Sequence, residues 1–213
     1  MNRVVVPELL DHLAPTDPAA QRSRRDLRRI NFLMGNETWV CRVAGRFPAA
    51  AAHGISEIGA GDGHLSAKLA ARFPLAEVAA YDLAPRPHGL DDRVKWIQGD
   101  LLAQPPPSPG GIVVANLFLH HFEAAALGAL GRWMEAARVV IFNEPDRGVL
   151  PHFLGALMWP WINRVTRHDM HVSISAGFVS GEISALLGLE PQHWQFEETS
   201  RWRGGRCVIG WRT

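Results

Sequence analysis

The residues best suited to chemistry begin at Glu57-Ile58-Gly59-Ala60-Gly61-Asp62-Gly63, where an acid precedes three glycines at alternate positions. Lying between the partly apolar stretch 54–58 and the i, i+4 pair Leu65 and Leu69, this reads as a corner from a buried strand into a helix. Glycines there tolerate positive φ and carry no Cβ to keep a ligand off the backbone, and a helix start offers unpaired N–H groups. Such a corner holds an anion or a carboxylate. Its third glycine comes one residue early for the G-x-G-x-x-G turn that cradles pyrophosphate. Further on, 77–82 reads as a second strand ending in Asp82, where a carboxylate in nucleotide-binding sheets accepts hydrogen bonds from ribose hydroxyls. A third strand, 94–101, ends in Gly99-Asp100-Leu101. Either acid could instead serve only as a helix N-cap. Two histidine groups offer proton transfer: His120-His121, after the apolar run that opens at Ile112, and His168-Asp169-Met170-His171. A histidine after an apolar strand is also often a satisfied structural residue. The second group could ligate a divalent metal, but no third or fourth ligand accompanies it, and no metal is assigned.

Taken in order, E-x-G-x-G-x-G, a strand ending in Asp82, a strand ending in Gly99-Asp100 and the segment Ala115-Asn116-Leu117-Phe118-Leu119-His120-His121-Phe122 resemble class I S-adenosylmethionine (SAM) methyltransferases of the small-molecule type. The resemblance implies that Glu57, Gly59, Ala60 and Gly61 wrap the methionine part of SAM. It places Asp82 and Leu83 at the ribose, Asp100 and Leu101 at the adenine, and Asn116 and Leu117 at the end of the fourth strand beside the cofactor. S-adenosyl-L-homocysteine (SAH) is the implied product, and the implied partner is a small aromatic or polyketide-type acceptor. O-methylation of a phenol with pKa near 10 gains from a general base, for which His168, Asp169, His120 and His121 are the candidates. His171, Asn143 and Glu144 stand nearby in the same reading. One departure is Gly110-Gly111-Ile112 where many relatives carry an acid at the start of the fourth strand. Alternatives are a SAM-binding protein without turnover, and a C- or N-methyltransferase of another small molecule. Methylation of RNA or protein and nicotinamide chemistry rank below these.

The elements that must position these residues follow from pattern. The expected fold is α/β: a doubly wound, seven-stranded, mostly parallel sheet with helices on both faces, a terminal antiparallel hairpin and an N-terminal helical extension. Asp17-Pro18 predicts a helix start and Gly35 its stop after Met34, with Leu27, Ile30, Leu33 and Met34 on one face. The same helix carries Arg22, Arg24, Arg25, Arg28 and Arg29, a pattern that suits a solvated face whose stems cover apolar surface. A helix over 37–47 leads into the first strand. Between strands two and three, and between three and four, the connections are too short for full helices. A helix over 123–137 and a fifth strand over 138–142 follow, with Asn143-Glu144-Pro145 at its ligand-binding end. Residues 146–177 read as an acceptor-covering lid before a crossover helix over 178–187. Stretches 192–197 and 206–211, around Arg203-Gly204-Gly205, read as the hairpin. The division expected is a helical cap over 1–50 and a SAM-binding domain over 51–213.

At 213 residues and 47% hydrophobic composition, the chain can bury a full core. A net charge of +1 with both signs interspersed argues against nucleic acid as partner. Cys41 and Cys207 form no C-x-x-C or zinc spacing, which suits a reducing compartment. The start of the chain lacks a signal-peptide pattern, and 149–162 is too short and too broken by proline to span a bilayer. The expectation is a cytoplasmic protein, monomer or homodimer, with no membrane span.

Overall fold

The computed structural model describes residues 2–14, 16–202 and 204–213. Its frame is one seven-stranded sheet in the order β3-β2-β1-β4-β5-β7-β6. The strands are β1 (Ile55–Ile58), β2 (Val78–Asp82), β3 (Val94–Gln98), β4 (Ile112–Asn116), β5 (Val139–Pro145), β6 (Trp194–Arg201) and β7 (Gly205–Arg212). The first five are parallel, and β7 runs antiparallel to both β5 and β6. β1 and β5 are buried along their whole length and β4 as far as Ala115, as strands in the middle of a mostly parallel sheet must be. This is the predicted fold class. The hairpin strands extend further than expected, and Arg203 of their turn lies outside the described residues.

Nine α-helices surround the sheet among the described residues: α1 (Leu9–His12), α2 (Pro18–Met34), α3 (Asn36–Ala44), α4 (Pro48–Ala51), α5 (His64–Arg72), α6 (Ala124–Trp133), α7 (Val149–Leu157), α8 (Arg164–Ala176) and α9 (Glu182–Leu187). Helix α2 starts and stops at the predicted residues. Asp17 Oδ1 accepts the N–H groups of Ala19 and Ala20 at 2.7 and 3.2 Å, and Gly35 closes the helix in the left-handed region. Val40, Val43 and Ala44 of α3 share one core with Ile55, Leu69, Ile112 and Ile209, covering one face of the sheet. The other face is covered by Leu127 and Leu130 of α6, Ile183 and Leu187 of α9, and Phe178 ahead of α9. The two short crossovers flanking β3, where only rudimentary helices were expected, contain no helix.

Two segments differ from expectation. The stretch 146–177 is largely two helices, α7 and α8, joined by a single 3-10 turn, Trp159–Trp161. The crossover helix shrinks to the six residues of α9, because 178–181 is used to rejoin the sheet by bonds such as Phe178 N–H to Pro145 O at 3.0 Å. Gly111, the departure noted at the start of β4, also has a physical reason. The backbone of Gly54 lies where a Cβ would stand, and Ile112 donates to Gly54 O at 3.0 Å. A side chain there, acidic or not, would push β4 off the start of β1. No described helix is long and apolar enough to cross a membrane.

Candidate functional site

The glycine corner and the end of β2 form one unit. Gly59 and Ala60 donate to Tyr81 O at 2.9 and 3.2 Å, and Gly59, Gly61 and Gly63 all take positive φ, at 67°, 57° and 72°. Side chains rarely adopt that region, so the alternate glycines are required by the turn itself. Gly61 donates its N–H to Asp82 Oδ2 at 2.7 Å while Ala84 donates to Oδ1 at 2.8 Å. The acid at the end of β2 is thereby held against the corner. A Cβ built on Gly61 would meet no atom within 4 Å, so this part of the turn opens onto free space; at Gly59 a Cβ would run into the Phe118 ring. The cradle is thus bounded by Phe118 on one side and by Asp82 on the other.

The remaining predicted cofactor residues divide. Asp100 follows Gly99 at the end of β3, and its Oδ1 accepts the Leu102 and Ala103 N–H groups at 2.8 and 3.3 Å, fixing the loop it stands on. Leu83 is exposed, and Leu101 packs partly against the core. Asn116 and Asn143 face each other across β4 and β5, with Asn143 Nδ2 donating to Asn116 Oδ1 at 2.8 Å. Glu57 departs from its expected role. Its side chain turns inward, is 3% exposed and accepts from the Ser66 hydroxyl of α5. Burial drives its pKa up to about 8, so at neutral pH it is a neutral acid bracing the corner from behind, away from the open space.

On the β4–β5 side the organising group is Glu144, which is fully buried at the end of β5. Its Oε1 accepts the Phe118 and Leu119 N–H groups, both at 2.9 Å, and its Oε2 accepts the His120 N–H at 3.3 Å and His120 Nδ1 at 2.8 Å. Three successive amides converge on one carboxylate because Leu117 just before them sits at φ 57°, where it is unique among the described non-glycine residues. Left-handed backbone at a leucine costs roughly 1–2 kcal/mol. The four bonds to Glu144 offset it.

His120 is consequently a fixed cation. Burial alone would lower its pKa, but Glu144 at Nδ1 and Glu8, 3.7 Å from Nε2, outweigh that and raise it to about 9. A histidine protonated at neutral pH and clamped between two carboxylates does not take a proton from an acceptor, so the structure removes His120 from the candidate bases. Asp169 is also reassigned. It is 1% exposed, and its oxygens accept the Leu9 and Leu10 N–H groups at 2.7 and 3.0 Å, anchoring α1. His168 Nδ1 lies 3.0 Å from the same Asp169, with a side chain about half exposed. His171 pairs instead with His152, ring centroids 4.7 Å apart. His121 remains: its ring lies 4.2 Å from that of His120, and burial, then the neighbouring His120 charge, lowers its pKa. It is therefore neutral at neutral pH.

The N-terminal strap was not anticipated. Arg3 donates to Ala176 O at 2.9 Å, to His120 O at 3.2 Å and to Phe122 O at 2.8 Å, and its guanidinium lies over Phe178. Glu8 accepts from Ser173 of α8 and faces His120 and His121. Residues 3–12 thus close over the 119–121 turn. Ligand-type atoms of Glu8, His120 and His121 all lie within 4.8 Å of one another, a grouping that the His168-Asp169-x-His171 spacing did not foreshadow. No short spacing announces it, since Glu8 and His120 lie more than a hundred residues apart.

The strand order, the terminal antiparallel hairpin and a glycine corner facing an acid at the end of β2 are those of the class I, Rossmann-like methyltransferase fold. Solved structures agree. The plantazolicin methyltransferase BpumL in complex with SAH superposes with a TM-score of 0.70 at 10% identity, over 93% of this chain and 91% of that one. The S-adenosylmethionine-dependent methyltransferase SibL gives 0.67 at 16% identity over 98% of this chain and 63% of its own. The pyocyanin biosynthetic protein PhzM gives 0.62 at 18% identity, over 97% and 62%. Among curated proteins, an acetylserotonin O-methyltransferase of Mus musculus molossinus is 30% identical over 138 residues, 57% of this chain. The match spans only about a third of that relative's length, 35%. No family model matches the chain.

Proposed function

We propose that the chain is a SAM-dependent methyltransferase of a small aromatic or polyketide-type acceptor, acting on a phenolic oxygen with His121 as general base. The observation that carries the cofactor half is the Gly61 N–H to Asp82 bond, which ties an acid to an open, left-handed glycine corner. The residues fit the group: the free space at Gly61 admits a ligand to the backbone, and Asp82 keeps acceptor capacity for two ribose hydroxyls. The Asp100 loop would meet the base. When bound, SAM supplies an electrophilic methyl on a sulfonium.

The chain's own contribution is to align the acceptor, exclude water and take its proton. Alignment and exclusion fall to the strap 3–12 and to α8, which together roof the end of β4. The proton would go to a ring nitrogen of His121. Its lowered pKa keeps it neutral, and the cation at His120 enforces that state. The acetylserotonin O-methyltransferase likeness supports oxygen as the nucleophile.

The test is transfer of labelled methyl from SAM to a panel of phenols. Label on phenolic oxygen, reduced at least about a hundredfold in His121→Gln with SAM affinity retained, is the expected result. Two of the four predicted catalytic residues are spent on internal bonds, which favours SAM binding without turnover as the second reading. SAM binding with no labelled product from any phenol, amine or activated ring carbon would select it.

A further inference from the structure

The surface around α2 and α7 gathers several arginines beside exposed apolar side chains. Some exposed arginines elsewhere are paired, Arg46 with Glu197, Arg86 with Asp92 and Arg93 with Asp91, and those without an ion pair, such as Arg42 and Arg132, lie on different elements. On α2, Arg22, Arg25, Arg28 and Arg29 are exposed and form no ion pair or hydrogen bond among the described residues. The nearby acid, Asp26, is turned inward to Asn163 N–H at 3.0 Å and to the Thr166 hydroxyl. Arg22, Arg25 and Arg29 border an open cleft of about 450 Å³ whose other wall is Pro160 to Asn163; Arg25, Arg28 and Arg29 border a second, of about 300 Å³, with Phe32. The two clefts share Arg25 and Arg29, so the cationic strip runs between two aromatic side chains, Trp161 at 76% exposure and Phe32 at 82%.

Leading into that strip, 149–162 contains no Asp, Glu, Lys or Arg. Helix α7 packs on Met170 and Ile174 of α8 at Gly155, and Pro151 is also buried, while Val149 is 78% and Phe153 62% exposed, with Leu150 and Leu157 also outward. This inverts the usual arrangement, in which a surface helix buries its apolar stripe. Contiguous exposed apolar surface rimmed by charge marks an interaction site.

We infer that this face docks the protein onto an anionic lipid surface, with Phe32, Phe153 and Trp161 entering the headgroup boundary and the α2 arginines meeting lipid phosphates. Charge complementarity selects such a surface. Four cations without internal partners need anions, and Trp, Phe and Leu beside Arg is the composition of interfacial segments. A two-fold contact between copies centred on the strip would set arginine against arginine. A small anion in the cleft would leave the α7 face unexplained. This inference stands apart from the methyl-transfer reading.

The experiment is co-sedimentation of the full chain with vesicles of phosphatidylcholine alone or with about a third phosphatidylglycerol, followed also by tryptophan emission. The expected result is binding to the anionic vesicles, weakened by salt, with a blue shift in emission. Each arginine within reach of the surface is worth roughly fivefold in partitioning. Arg22, Arg25, Arg28 and Arg29 changed together to Gln should therefore lower it by about a hundredfold or more, and Phe153→Ser with Trp161→Ser by at least about tenfold. Arg46→Gln with Arg93→Gln, paired residues elsewhere, should change it less than twofold. Absence of binding, equal binding to neutral vesicles, or equal losses in the paired-arginine control would overturn the inference. So would a dimer in sedimentation velocity that Phe153→Ser with Trp161→Ser dissociates.

Discussion

The two sides of the sheet's ligand edge are assembled by different means. At the β1–β2 side, an acid and a glycine amide 21 residues apart complete the unit, and backbone geometry does most of the positioning. At the β4–β5 side, one buried carboxylate gathers three amides and an imidazolium from 24 to 26 residues away, and a strap anchored across 160 residues closes over them. The first side depends on local spacing. The second depends on a buried charge network, in which each member is costly without its partners.

The contrast can be broken most forcefully at Glu144. Glu144→Ala leaves three amides unpaired and the buried His120 cation with Glu8 alone, 3.7 Å away, and should cost about 3–5 kcal/mol in denaturant unfolding, whereas Asp82→Ala should cost far less stability. Equal losses would erase the distinction. The network also sets a pH dependence. His120 has a folded pKa of about 9, above its unfolded value near 6.5, so its stabilisation is complete below about pH 6.5 and fades as pH rises through 9. Glu57, raised to about 8 by burial, acts in the same direction because the folded state holds a proton the unfolded state has released. Together they should lower stability by roughly 4–5 kcal/mol between pH 6.5 and 9, and His120→Gln should remove about half of that slope. At the small end, Asp17→Ala removes the α2 cap and should cost about 1 kcal/mol by thermal unfolding, leaving both halves of the site intact.

What was legible in the sequence follows the same division. The corner at Gly59 to Gly63, the acid at Asp82, the Asp17 and Gly35 stops of α2 and the succession of strands along the chain rest on short-range rules of φ, capping and periodicity, which a linear chain displays. The assignments that changed, Glu57, His120 and Asp169, are all ionisable side chains buried against partners. A sequence shows their chemistry but not which atoms face them. Glu144 carried a faint signal, as an acid at the ligand end of an apolar strand. Glu8 and Arg3 carried none, because their partners lie more than a hundred residues away. The lid helices were missed for another reason: the apolar side chains of α7 point outward, so the pattern of a buried stripe is absent.

The most direct test of the central claim is calorimetric titration of the protein with SAM and SAH, wild type against Asp82→Ala and Asp82→Asn, with unfolding curves confirming that the variants are folded. The account requires one site per chain in the wild type and a loss of roughly a hundredfold or more in affinity for Asp82→Ala, the scale expected when a charged acceptor for two hydroxyls is removed. Wild-type affinity retained in a folded Asp82→Ala variant would contradict it.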